Sequence, residues 1–477
     1  EESTTSTAKM AAGTYEGTAV GYKPGEPVKV TVTVTENAIT DIVIDEVNTS
    51  ETLPLLWAVR DLMVPRMIEA QSVAVDSITG ATVTSAAVKM ATENALVKAL
   101  EAGGSDKTTV SVFKKAPEKT ASAETLEADV LVVGMGGSGT AAAVSAAEGG
   151  AKVLAIDKAG KYGGTSSLTT EGLFVNPPKF EEEHNGGKDY TDADVMLAAW
   201  LAYTEGDAKE DIVRLNIEHS GEALDWLIYE HGYAFAEPKT GFTPSDVYLT
   251  KYQYLPNDIM YNKTTIATYF DGMYEDFAAM GGTYLLETEA TELIYDAATN
   301  TVTGVKAVNH VTGAEYTINA KAVILATGGF AGNAAMEEQY LKDDYFPIKG
   351  AWHQLGSKQN DGKMIASAIS IGAGTYNIGM PPMVHMSGTP SWLTSFDVHE
   401  VPGVTAEIIG RPAVWSEGDL PANMVWSADS LAVDPAGHRF TTEAAVSFLN
   451  PWIAGPTFYS IWSEPQVQKL ITDGFDT

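Results

Sequence analysis

Residues 129–158 read DVLVVGMGGSGTAAAVSAAEGGAKVLAIDK, and this stretch decides the fold. Asp129–Val133 is an apolar run of strand length that ends on Gly134, Gly136 and Gly139, a GxGxxG series. A run of small residues at helical spacing follows to about Glu148, and a second strand covers Lys152–Ile156. Asp157 closes that strand, 23 positions after Gly134. In such a unit the first glycine permits a tight turn, the second lets the backbone approach a pyrophosphate, and the third lets helix and strand pack closely. Free N–H groups at the helix start, around Gly137 and Ser138, face the phosphates. Asp157 is placed to hold ribose hydroxyls. A glycine turn without a ligand does not require strand, glycines, helix, second strand and acid to coincide. The spacing therefore predicts a Rossmann-like α/β domain that binds a dinucleotide, without separating NAD from FAD.

Outward from this unit, AGKYGGTSS at Ala159–Ser167 and AKAVILATGGFAGN at Ala320–Asn333 place glycine-rich turns that suit a flavin held extended across the sheet. Strands are expected at Tyr284–Thr291, Val302–Val308, Glu315–Ile318 and Lys321–Ala326, with polar-faced helix over 190–235. Upstream the texture differs. Residues 1–10 form a polar tail expected to be flexible. Val28–Thr35, VKVTVTVT, alternates with period two, and Ile39, Ile42 and Ile44 mark the next strand. Ser85–Leu100 is helical, with Val88, Ala91, Ala95 and Ala99 on one face. Residues 11–101 thus read as a small α+β domain, and 102–126 as a linker. Asp76–Thr82, DSITGAT, sets a glycine and hydroxyl groups at the head of that helix. This is a ready phosphate site, although a capped turn would have the same composition.

Composition narrows the chemistry. The 477 residues carry 30 Lys+Arg against 63 Asp+Glu, a net charge of −33. Binding to nucleic-acid phosphates needs the opposite balance. No apolar run reaches the ~18 residues of a membrane-spanning helix. With 0 Cys, disulfides, thiol nucleophiles, iron–sulfur clusters and CxxCH haem attachment are excluded. No metal site is expected, so a redox role falls to an organic cofactor.

Residues 127–375 resemble the flavoprotein of the fumarate reductase and succinate dehydrogenase family, in its soluble fumarate- and urocanate-reductase-like branch. The matching stretches are VVGMGGSGTAAAVSAAEGGAKVLAIDK, GGTSS, VTGVKAVNHVTGAEYTINAKAVILATGGF and NDGKMIASAISIGAG. The resemblance implies FAD, held by Gly134, Gly136, Gly137, Ser138, Gly139, Asp157, Lys158, Gly163, Gly164, Thr165, Ser166, Thr327, Gly328, Gly329, Asp361 and Gly362, with the backbone at Ala290 meeting the adenine. Residues 11–101 resemble the FMN-binding domain of respiratory flavoproteins. That implies FMN esterified to Thr82 by a flavin transferase, with Thr79, Gly80 and Ala81 completing the recognition motif. The implied architecture is a small α+β FMN domain, an FAD domain at 127–379 and a substrate-capping insert at 380–477. In the family a later segment returns to complete the FAD domain. The chain is expected to lack that segment.

The resemblance weakens at the substrate. Fumarate-reducing relatives carry TExxR, then GxRFxxE, and four residues on a proton-donating Arg. Here Gly437, Arg439, Phe440 and Glu443 are present, but the proton-donor position is Ser447 and the TExxR position reads ANMVW at 422–426. Arg439 reads as a structural residue of its turn. His385 and Arg411 are the remaining candidates for contact with substrate, and Trp392, Trp415, Trp426 and Trp452 make the insert aromatic. The expected activity is reduction of the double bond of an unsaturated small-molecule acceptor other than fumarate. Electrons would come from an unidentified donor through FMN and FAD. A desaturating dehydrogenase and a non-catalytic flavin electron carrier remain open. An extracytoplasmic location is expected from the FMN motif, the missing cysteines and the non-Met, Ser/Thr-rich start.

Overall fold

A computed structural model of the chain describes residues 9–21, 26–49, 51–169, 171–204, 208–238, 251–255, 264–341, 359–379, 430–440 and 459–473. The N-terminal unit is a three-stranded antiparallel sheet in the order β1 (Gly13–Ala19), β2 (Val28–Val34), β3 (Ile39–Ile44). The valines of β2 are all buried on one face, as their alternation with Lys29, Thr31 and Thr33 dictates. Burial of each contributes about 1.5–3 kcal/mol before chain entropy is counted. α1 (Leu53–Ala58) passes through a π-type turn at Val59–Met63 into α2 (Val64–Ala70). Pro65, in the first turn of α2, has no N–H to donate back along the helix, which accounts for the widened turn before it.

α3 (Thr82–Ala102) lies across the buried face of this sheet, with Ala91, Ala95 and Ala99 fully buried. The approach is close. A Cβ on Gly17 of β1 would stand 1.9 Å from the carbonyl oxygen of Ala91. Glycine at this position is also why β1 shows no apolar alternation and escapes a sequence reading.

The stretch 102–126, expected to be a linker, is folded at both ends. Lys107–Lys114 forms a 3₁₀ helix that buries Val110 and Phe113 in the N-terminal core, and the carbonyl of Phe113 accepts from the N–H of Val73 at 2.7 Å. From Ala123 the chain is already in the second sheet. The polar composition misleads because only two side chains of the 3₁₀ segment are needed to anchor it.

Apart from the short pair β6 (Glu171–Leu173) and β7 (Lys251–Gln253), the second unit is built on six strands, β8 (Thr283–Leu285), β5 (Val153–Ile156), β4 (Ala123–Val133), β11 (Glu315–Leu325), β10 (Thr301–Asn309) and β9 (Thr288–Asp296), in that order across the sheet. β4, β5, β8 and β11 run parallel, and β9 and β10 add antiparallel strands at one edge. The expected strand Tyr284–Thr291 is two strands, divided at Leu286–Glu287, where Glu287 takes a left-handed φ of 54°. The two strands expected at 315–318 and 321–326 are one, continuous through Asn319 and Ala320. Pairing of β10 with β11 ends at Gly304–Asn319. Beyond it the β4 side of β11 is paired and the other side has no strand partner among the described residues.

α4 (Gly137–Glu148) makes the crossover from β4 to β5. One sheet face packs on an aromatic-rich core that includes Phe180, Tyr252, Tyr274 and Phe277. The other packs on aliphatics including Leu131, Ile156, Val305 and Met364. The expected helical region 190–235 is α6 (Ala193–Tyr203) and α7 (Glu210–Tyr229), preceded by a short α5 (Pro178–His184). α8 (Thr264–Ala279) packs on α4, α9 (Ala334–Tyr340) follows β11, and α10 (Lys363–Ser370) packs on β9. In the region read as a capping insert, Leu431–Val433 pairs antiparallel with Tyr459–Ile461. Arg439 pairs its backbone with Val433 at the base of the turn at 434–438.

Gly17→Ala would press a methyl group into the backbone of α3. Overpacking of this kind costs about 1–3 kcal/mol, and urea unfolding followed by circular dichroism should show it. An unchanged midpoint would mean that α3 does not approach β1 this closely.

Candidate functional site

The glycines of the β4–α4 turn divide by what surrounds them. Gly134 has φ 98°, and a Cβ there would lie 2.3 Å from the carbonyl oxygen of Ala326 in the turn after β11. A Cβ on Gly139 would lie 1.8 Å from the carbonyl oxygen of Gly134. Both are required by the protein's own packing. Gly136 is different: its Cβ would meet nothing nearer than 4.0 Å, and its backbone angles suit any residue. Space kept open at that one position, at the head of a helix with no side-chain cap, fits a ligand that approaches the backbone.

The loop at 163–166 lies against the same turn. The N–H of Gly163 donates to Met135 O at 2.8 Å, and Gly137 N–H donates to Ser166 Oγ at 3.3 Å. Positive φ at Gly163 and Gly164 bends the chain so that Thr165 and Ser166 stay exposed beside Gly136. After β11, Gly328 takes φ 72° next to Asn360, and a Cβ on Gly329 would face open space. Thr327 is half-buried between them and the end of the strand. These turns meet at the carboxyl ends of parallel strands β4, β5 and β11, where open α/β sheets bind their ligands.

Asp157 Oδ2 accepts from Met135 N–H at 2.6 Å, and Oδ1 accepts from Ala159 N–H at 2.7 Å. Each oxygen keeps a further lone pair, so the carboxylate braces the glycine turn and can still accept from a ribose hydroxyl. Burial pushes its pKa up against those two bonds. Lys158 Nζ lies 2.9 Å from Asp361 Oδ2. Burial pushes the Asp361 carboxyl up, but the N–H of Lys363 and the Lys158 ammonium outweigh it and hold it below the usual range. Gly362, φ 66°, starts α10. Ala290 is buried in β9 opposite Ala307, so only its backbone is available to a ligand.

In the N-terminal unit, Asp76–Thr82 is an ordered loop. Asp76 pairs with Lys119 at 3.1 Å, Ser77 Oγ accepts from Lys89 Nζ at 2.9 Å, and Ile78 N–H donates to Ser85 Oγ at 3.0 Å. Burial lowers the pKa of Lys89. Gly80 turns the chain at φ 96°, and Ala81 is buried just before α3. Thr82, the first residue of α3, is exposed, and its hydroxyl has no partner among the described residues. Thr79 Oγ1 is instead 3.3 Å from His310 Nε2 of the second unit.

Sequence reading missed Arg66, Glu287 and His310, which join the two units. Arg66 donates twice to Glu287, at 2.8 and 2.5 Å. One signal was available: Arg66 stands among Val64, Met67 and Ile68, which are apolar neighbours on its own helix. His385, Arg411, Ser447, the 422–426 stretch and the four tryptophans of the insert lie outside the described residues.

The FAD binding domain family matches residues 129–448, more than half of the chain. The chain belongs to the FAD binding domain family. Ahead of it, the FMN-binding domain matches residues 21–97, so this family member joins two flavin-binding modules. Urocanate reductase of Eggerthella lenta is 30% identical over 306 residues, 62% of this chain and 48% of that protein. Vinyl phenol reductase of Lactiplantibacillus plantarum is 29% identical over 252 residues, 53% of this chain and 47% of that protein. A flavocytochrome c3 fumarate reductase in its open conformation superposes with a TM-score of 0.51 at 20% identity, covering 73% of this chain and 54% of that one, and shares the fold. The chain thus spans about half the length of the relatives it matches. Among the described residues no helix is long and apolar enough to cross a membrane.

Two outcomes follow. Gly136→Ala should leave the thermal midpoint of the FAD-free protein within about 2 °C and weaken FAD binding at least tenfold in a fluorescence titration, whereas loss of the fold would show the position to be structural. Lys158→Met should cost about 0.5–1 kcal/mol at pH 7, the size of a partly exposed pair. Because the native Asp361 pKa is depressed, that difference is complete above the ordinary carboxylate pKa of ~4 and disappears as pH falls through the lowered value. Urea unfolding at pH 7 and in acid checks it.

Proposed function

We propose that the chain is the flavin-bearing part of an extracytoplasmic reductase that takes electrons at an FMN on Thr82, passes them to FAD, and reduces the double bond of an unsaturated small organic acceptor. The observation that carries this reading is the seam between the units. The loop that presents Thr82 touches the FAD-domain side directly, through Thr79 to His310 and through Gly160 N–H to Thr79 O at 3.3 Å. Two flavin modules joined within one chain support an intramolecular electron route. The names of the relatives, reductases of urocanate and of vinyl phenol, support the acceptor class.

FAD, when bound, supplies hydride transfer to one carbon of an activated alkene. The chain's residues supply the rest. The uncapped start of α4 and the Gly136 and Gly329 faces receive the pyrophosphate, and Asp157 accepts from the ribose. Thr82 offers an exposed hydroxyl to a flavin transferase while Asp76, Ser77 and Ile78 fix the loop. His385 and Arg411 are proposed as substrate contacts, with Ser447 where fumarate-reducing relatives place their proton donor. The net charge of −33 disfavours dianionic acceptors at long range. This supports a neutral or singly charged acceptor over fumarate. The flavinylation motif supports the location.

The test is peptide mass mapping of protein co-expressed with a flavin transferase, after acid precipitation. FMN should be found on the Thr82 peptide and be lost in Thr82→Ala, and reduced viologen should be reoxidised by aromatic or monocarboxylic enoates faster than by fumarate. An unmodified Thr82 in the presence of active transferase would remove the electron entry and favour a dehydrogenase.

A further inference from the structure

The fingerprint geometry places a ligand's pyrophosphate on the start of α4 and its ribose on Asp157, so the adenosine end lies beside the loop 157–160. Beside that loop the structure has an open pocket of about 310 Å³ lined by Lys158, Glu289, His310 and Gln359 of the FAD domain and by Thr79 of the FMN domain. One wall of this pocket therefore comes from the other domain.

The two walls are tied at several points. Gly160 N–H donates to Thr79 O, and the Ile78 side chain lies where a Cβ on Gly160 would be, at 2.6 Å. Gly80 abuts Gln359, whose Nε2 is 2.7 Å from where its Cβ would stand. Lys119 joins Asp76 to the carbonyl of His310. Arg66 grips Glu287, which is only 6% exposed. Glu287 is in turn the joint of the FAD-domain wall. Its N–H donates to Ala159 O at 2.9 Å, its carbonyl accepts from His310 N–H at 3.0 Å, and its backbone is in the left-handed region.

We propose that the FMN domain completes the adenosine end of the FAD site, with Thr79 lining it and Arg66 acting as a positioning residue that holds the 157–160 loop and His310 through Glu287. This rests on the FAD reading above. The hydroxyl, ammonium, imidazole, carboxylate and amide groups around the pocket supply both donors and acceptors, the two kinds that an adenine and its ribose require. By linkage, FAD binding and domain docking strengthen each other by the same factor. The loop that carries the FMN acceptor then has a second role in FAD retention.

The experiment uses the full chain made without flavin transferase, titrated with FAD by flavin fluorescence and with ADP by calorimetry. Arg66→Ala should weaken both ligands by the same factor, tenfold or more, and the swapped pair Arg66→Glu with Glu287→Arg should recover part of the loss. Thr79→Val, which keeps the volume and removes one hydroxyl, should weaken both about threefold and decides the matter if Arg66→Ala does not fold. If both variants bind FAD and ADP as the unaltered chain does, or weaken FAD but not ADP, the proposal is overturned while the FAD reading stands. If the unaltered chain binds neither ligand, the FAD reading fails and the proposal falls with it.

Discussion

The contact on which the rest depends is the one between the start of α4 and the turn that precedes it. A helix can sit over β4 this closely only if position 139 has no side chain, because a methyl group there would lie 1.8 Å from the carbonyl of Gly134. That fit sets the direction of α4 and so the direction of its free N–H groups. It also brings Gly134 against Ala326, which ties the turn after β11 to the same spot. The loops at 163–166 and 327–329 then have a fixed framework to close upon. Asp157 reinforces it by bonding the turn from the neighbouring strand, so the group proposed to bind ribose also shapes the pyrophosphate cradle.

Much of this framework was legible in the sequence because each part leaves a local trace. Period-two valines gave β2, and the series Gly134, Gly136, Gly139 with Asp157 gave the β4–α4–β5 unit. Features that depend on contact between distant segments left none. β1 leaves no strand pattern in the sequence because Gly17 suits the close approach of the α3 backbone. The 3₁₀ segment at 107–114 reads as linker in the sequence because Val110 and Phe113 are too few to form a period. The break at Glu287 was hidden because an acidic residue in left-handed conformation is held by a partner 221 positions away.

The site divides in the same way. Residues proposed to meet the dinucleotide through backbone geometry are legible in the sequence, since glycine is informative wherever a close approach is needed. Residues that join the two units by tertiary placement, His310 and Arg66 above all, are not. Their types are common and their neighbours in sequence ordinary. Thr79 falls between these cases. The sequence marks it only through the resemblance to FMN-binding domains, and the structure adds a contact on the opposite side of the seam.

The ion pair between Arg66 and Glu287 also bears on how such a chain can be assembled. A carboxylate this buried cannot be left without its guanidinium at small cost, because little water reaches it to take over. A replacement N-terminal module would have to bring an arginine to the same place, on a helix presented at the same angle. The two modules are therefore matched parts, and recombination between relatives would have to cut outside the pair or carry both halves of it together.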